Sequence, residues 1–182
     1  LCQGRPLKAG EWPDPAPVFQ YSSVDIFEDM PWPSSNIVVV SDRLRRFLES
    51  EVPGVAEYVP IQLIGPRDKE IPWPYWAMNW LRIFDCLDRE ASMNVHADGT
   101  PFVEVPVIDP SRIPSDGMLG VLKGFEVIRL IRNDLRLKIK RSGLIGPQFY
   151  RIAHSTGQNY QPFVKPDHSG RTRGKIQGPR PE

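Results

Sequence analysis

A chain of 182 residues with 40% hydrophobic and 25% charged side chains is long enough for one packed core and has ordinary globular composition. Its 23 basic and 22 acidic side chains leave a net charge of +1, which argues against the strong positive field of a phosphate-backbone binder. Cys2 and Cys86 suggest neither a disulfide framework nor a paired-cysteine zinc motif, and no apolar run approaches the roughly 20 residues of a membrane helix.

The opening Leu1-Cys2-Gln3-Gly4 lacks the order of a signal peptide. A cytoplasmic location is the expectation. Because the first residue is not methionine, a trimmed start and prior export stay open.

Residues 1–35 are rich in proline, including Pro13, Pro15, Pro17, Pro31 and Pro33, and predict an extended arm. One strand is expected near Val18–Phe27, with Trp12, Phe19 and Trp32 apolar enough to pack on the core. Asn36–Val40 is a β-branched run of buried-strand type, and Ser41-Asp42 offers an N-cap and a first-turn acid. In the helix that follows, Leu44, Phe47, Leu48 and Val52 share one face, and Pro53-Gly54 ends it. Glu57–Ile64 reads as a strand whose Pro60 belongs at an edge or bulge.

Beyond a loop over 65–74, the stretch Tyr75–Glu90 places Trp76, Trp80, Ile83, Phe84 and Leu87 on one helical face, which predicts a central, aromatic-rich helix. Phe102–Ile108 and Phe125–Ile131 are strand candidates separated by a loop over 109–120. Asn133–Arg141 reads as a helix ending at Gly143, although Leu135–Lys140 also alternates with period 2. A further strand is expected over Pro147–Ala153.

The helical reading of 133–141 is favoured by a short internal repeat. Val38–Ile61 and Arg129–Ile152 each run strand, polar cap, amphipathic stretch, glycine and aromatic-bearing strand, with Leu44 against Leu135 and Gly54 against Gly146. The elements predict an α+β fold: a mixed sheet around the central helix, with this strand–helix–strand unit on either side supplying it. The expected organisation is an arm over 1–35 packed on the core, one domain over 36–153, and a basic, Gly/Pro-rich tail over 154–182 that cannot bury a core of its own.

Asp85, Asp88 and Glu90 are the most tempting chemical cluster, since neighbouring acids on a helix can hold a divalent cation or share acid–base work. A metal-dependent or hydrolytic enzyme using them is one reading. On a helix, however, Arg82 and Arg89 would flank Asp85 as an ion-paired stripe, and Asp88 would sit on the apolar flank and need structural donors. His96, His154 and His168 are scattered and join no metal motif, so neither metal nor cofactor is expected. Trp76 and Trp80 read as core, whereas Trp73 and Tyr75 in the proline-flanked lead-in are candidate protein-interface anchors, with Arg82, Asp85 and Arg89 as charged contacts. A nucleic-acid-associated module acting through Lys165, Arg171, Arg173, Lys175 and Arg180 is a further alternative that the balanced charge disfavours.

Val39-Val40-Ser41-Asp42-Arg43-Leu44, then Gly54 and Pro60, then Asn79, Asp85, Leu87, Asp88 and Ser92 at their spacings resemble a family of bacterial immunity proteins encoded beside polymorphic toxins. The resemblance spans about 37–152. It departs in the second unit, where Arg132 stands at the expected serine while Gly146 and Phe149 are kept. It implies a non-enzymatic protein whose partner is a cognate toxin or effector of the same cell, with Ser41, Asn79, Asp88 and Ser92 as family-motif positions and no catalytic residue. Oligomeric state, the toxin and the binding face are not given by these residues.

Overall fold

The computed structural model describes residues 4–21, 28–31, 37–96 and 102–155. The 22–27 part of the strand expected near Val18–Phe27, with Trp32, Asn36, Cys2, His168 and the basic tail beyond 155, lies outside them.

The chain is α+β. A four-stranded sheet has the order β1 (Val18–Gln20), β3 (Ala56–Ile64), β4 (Tyr75–Trp80) and β2 (Val39–Ser41). Helix α1 (Asp42–Glu51) leaves β2 directly. Ser41 caps it, its Oγ accepting from the Leu44 N–H, and Gly54 adopts the φ of +71° that lets the chain reverse after it. β2 and β3 both run antiparallel to β4, so the β2–α1–β3 crossover joins parallel strands with β4 inserted between them. β1 pairs only with Gln62–Ile64, which leaves the N side of Pro60 at a local edge where its missing donor costs nothing.

The stretch predicted as the central helix is instead β4 followed by β5 (Ile83–Phe84) and an extended run that bridges Leu87 to Ile108. Its two faces explain the misreading. Tyr75 and Ala77 enter a cluster with Val39, Val59, Ile61 and Leu63 on one side of the sheet, while Met78 and Trp80 enter another with Val40, Leu44, Leu48, Leu135 and Ile139 on the other. A strand buried on both faces is apolar throughout and carries no alternation, and the spacing of Trp76 and Trp80 satisfies periods of 2 and 3.6 together. Both tryptophans remain on the core, Trp80 buried and Trp76 half-buried.

The arm covers the face away from the helices: Leu7, Trp12, Phe19 and Tyr21 pack on the Val39–Ala77 cluster. Helix α2 (Asn133–Arg141) lies on the opposite face beside α1, burying Leu135 and Ile139 as its helical period requires. Its N-cap is Arg132, which makes no side-chain capping bond, in contrast to Ser41.

A second sheet orders β10 (Phe125–Ile131), β9 (Leu119–Leu122) and β5. Gly120 admits the close approach of β5, since a Cβ there would lie 2.6 Å from the Phe84 ring and 2.8 Å from the Arg82 carbonyl. β6 (Met93–His96) and β7 (Phe102–Val105) form a hairpin, and β8 (Val107–Ile108) pairs with β11 (Ala153–His154). The strand expected over 147–153 is thus reduced to its last residue and His154. The second copy of the repeat fails with it: β2 and β3 belong to one sheet and β10 to another, and the stretch expected as a helix between the two copies is strand and extended chain. What survives of the symmetry is a strand running into a helix, twice, with Leu44 and Leu135 in one core.

Candidate functional site

Among the described residues, buried and half-buried polar side chains work as latches between chain segments. Asp29, which no sequence pattern singled out, has no exposed surface. Its Oδ1 accepts from Ser41 Oγ at 2.6 Å and Arg43 Nε at 3.0 Å, and its Oδ2 accepts from Arg43 Nη2 and from the Ile145 N–H at 2.8 Å. Its backbone also donates to Ile145 O and accepts from Ser41 N. Asp29 therefore ties the arm, the β2–α1 junction and the chain after α2 at one point. Burial pushes its carboxyl up, but the bonds from Arg43, Ser41 and Ile145 outweigh it and hold Asp29 below the usual carboxylate range. Gly146, at φ +105°, lets this segment pass Met30, whose carbonyl a Cβ would meet at 2.9 Å.

A second latch fastens residues 5–7. Asn79 and Glu57 face each other across β4 and β3; Asn79 Nδ2 donates to Arg5 O at 2.9 Å and to Glu57 Oε2 at 3.1 Å, and the Leu7 N–H donates to the same carboxylate oxygen at 2.8 Å. A third closes the turn after Leu87: Asp88 Oδ1 accepts from the Ala91 N–H at 3.0 Å, while Ser92 Oγ donates to Asp88 O and accepts from the Val107 N–H at 2.9 Å. Ser41, Asn79, Asp88 and Ser92 therefore all satisfy backbone or buried polar groups.

The acids weighed as a catalytic set are not brought together. Asp85 bonds Lys123 Nζ at 2.9 Å and Arg112 at 3.2 Å; with Lys123 the larger cause, these cations hold it below its ordinary value. Asp88 caps its turn, and Glu90 is exposed. No group of His, Cys, Asp and Glu among the described residues is arranged to hold a metal ion. Cys86 is a fully buried small side chain whose thiol burial pushes up.

The proposed surface anchors also separate. Trp73 is 44% exposed, but Tyr75 is buried, its hydroxyl donating to Glu28 O at 2.9 Å and pushed up to about 12 by burial, so it is corrected from an interface anchor to a core residue. Arg82 lies beyond the far end of β4, paired with Asp116 at 3.0 Å and bonded to its carbonyl. Since an extended strand rises about 3.3 Å per residue, Trp73 and Arg82 stand roughly 30 Å apart along the chain. Arg89 is exposed near Asp85, whose carboxyl it also helps to lower. A helix would have gathered Arg82, Asp85 and Arg89 on neighbouring turns, and the strand and extended run space them along the chain.

A groove of about 810 Å³ lies between the helix-covered core and the second sheet. Val40, Leu44, Met78 and Leu119 form its floor. One wall is β10, where residues 126–128 have no partner on β9 and Val127 is lifted to 56% exposure; the other is the segment 147–154, where Tyr150 is 80% exposed. Among the described residues, Arg129, Arg132 and Arg151 line the groove and no Asp or Glu does. Arg132 is shared with Asp134, which stands outside, and donates to Ser115 O. Sequence reasoning missed this groove because its walls come from segments about twenty residues apart that alone read as an ordinary strand and loop. The one signal available was Arg132 in place of a capping serine.

No helix among the described residues is long and apolar enough to cross a membrane. The model of a family described as Immunity protein family (Imm11) matches residues 3–110, more than half of the chain. No curated protein matches it.

Proposed function

The chain belongs to the immunity protein family Imm11, and from that premise we propose that it is a non-enzymatic protein that binds and neutralises a cognate toxin made by the same bacterial cell, in the cytoplasm. The family match is the observation that carries this reading. The site geometry supports it, since Asp29, Ser41 and Asn79 are committed to holding segments of the fold, Asp85 is ion-paired at the surface and Asp88 closes the turn after Leu87. The exposed charges and the half-exposed Trp73 are suited to recognition, where ion pairs steer encounter and a few aromatic or arginine anchors carry the affinity. Trp73, Arg82, Asp85 and Arg89 remain proposed contacts; Tyr75 does not.

Purification together with the protein encoded by the adjacent reading frame tests this. The expected result is a stable complex by size exclusion, with toxin activity lost on addition of an equimolar amount of this chain. A toxin that stays fully active in a large excess of the chain would overturn the proposal.

A further inference from the structure

We propose that the junction where β2 passes into α1 is the surface that contacts the toxin, through Trp73 and Ile145 as apolar anchors and Lys140 and Arg141 as partners for an acidic patch on it. This rests on the immunity reading above and names the surface and chemistry of the contact. Two loops meet at the junction. Pro74 O accepts from the Asp42 N–H at 3.3 Å, which sets Trp73 beside the start of α1. Gly143 O accepts from Arg43 Nη2 at 3.0 Å, and the Ile145 N–H donates to Asp29, whose other carboxylate oxygen accepts from Ser41 Oγ. Trp73 is 44% exposed and Ile145 49%. Both stand on constrained backbone: Trp73 lies between Pro72 and Pro74, and Ile145 is bonded to Asp29 through its N–H and its carbonyl. Anchors fixed before binding lose little freedom when a partner covers them. That gives a reason for the fold to commit a fully buried carboxylate to an exposed loop.

Charge selects the occupant. Residues 1–129 carry 12 basic and 19 acidic side chains, whereas residues 130–155 carry six basic and one acidic. Of the six, Arg132 and Lys138 are paired with Asp134 and Glu51. Lys140 and Arg141, at the end of α2 and within five residues of Ile145, are exposed and pair with no described carboxylate. Holding a helix end does not require them, since α1 has no basic residue in its last turn. A nucleic acid would run past so small a patch onto the acidic remainder of the chain, whereas an acidic patch on a folded protein matches it locally. The basic pair also lies beyond residue 110, where the family match ends, as suits a feature that distinguishes one toxin from others.

The test uses the full chain and the protein encoded by the adjacent reading frame, with association and dissociation rates measured by surface plasmon resonance. Lys140→Gln combined with Arg141→Gln is expected to slow association at least about fivefold at low salt and to flatten its salt dependence. Lys8→Glu makes the same change in net charge at an exposed position near the other end of β4, and is expected to leave both rates near those of the parent. Trp73→Ala and Ile145→Ser are each expected to speed dissociation at least about tenfold while keeping a cooperative unfolding transition. Parent-like rates in the double variant and in both anchor variants, with a complex still formed, would overturn the surface assignment and leave the immunity reading standing. Absence of any complex with the parent chain would overturn both. Saturable binding of a DNA duplex that the double variant loses, while its toxin rates stay parent-like, would assign the basic pair to nucleic acid and refute the acidic protein patch.

Discussion

Asp29→Ala removes the carboxylate on which three parts of the chain converge. The substitution strands the Ser41 hydroxyl and the Ile145 N–H, and leaving a buried donor without an acceptor costs about 1 to 3 kcal/mol each. Arg43 is 52% exposed, so its guanidinium regains water and adds under about 1 kcal/mol. The sum centres near about 4.5 kcal/mol, a large share of the roughly 5 to 15 kcal/mol that stabilises a domain. At about 2 to 4 °C per kcal/mol for a domain of this size, the melting temperature should fall by about 9 to 18 °C. Urea unfolding followed by tryptophan fluorescence measures it, with the midpoint lowered and the slope unchanged. Because the folded Asp29 titrates below its ordinary range, its contribution is complete above that range and is lost as pH falls through the folded value. The variant should therefore also lose part of the parent's acid sensitivity. A cost under about 1 kcal/mol, together with an unaltered acid limb, would refute the latch.

Ser41→Ala removes both the α1 cap and a donor to Asp29 and should cost about 1 to 2 kcal/mol by the same unfolding assay. Glu57→Ala should accelerate exchange of the Leu7 amide and proteolysis near residues 5–12, while hardly changing exchange within α2, because the acceptor it removes serves Leu7 of the arm and Asn79 of β4 and nothing on that helix. Asp134, held at about 2 chiefly by its hydrogen bond with Arg132, should move up toward the ordinary carboxylate range in Arg132→Gln, as read by NMR titration of its side-chain carbon. Gly120→Ala should destabilise by disturbing the β5–β9 approach, since the methyl group would press into Phe84 and the Arg82 carbonyl.

Elements whose local chemistry agreed with their tertiary setting were legible in the sequence. α1 carried a capping serine, a one-sided apolar face and a terminating glycine, and β3 a β-branched and aromatic run; both formed where expected. α2 was harder because Leu135–Lys140 alternates, yet burial of Leu135 and Ile139 against α1 settles it as helix. Tyr75–Trp80 was misread because a central strand covered on both faces erases the alternation that identifies strands. That error gathered Arg82, Asp85 and Arg89 on a helix that does not form, while Tyr75 reads as an interface residue because of its proline-flanked lead-in, where β4 in fact begins. Asp29 was invisible for a different reason: an isolated acid in a proline-rich arm looks solvated until the partners it meets, Ser41, Arg43 and Ile145, are brought together in space. The groove depends likewise on contacts between distant segments.

The central claim is that this chain protects the cell that makes it from one specific toxin. Growth of cells induced for the adjacently encoded protein, with and without this chain, measures that directly. The account predicts that growth stops without the chain and is restored by it, and that an unrelated toxin is not neutralised. Growth arrest that persists at full expression of the folded chain would contradict it.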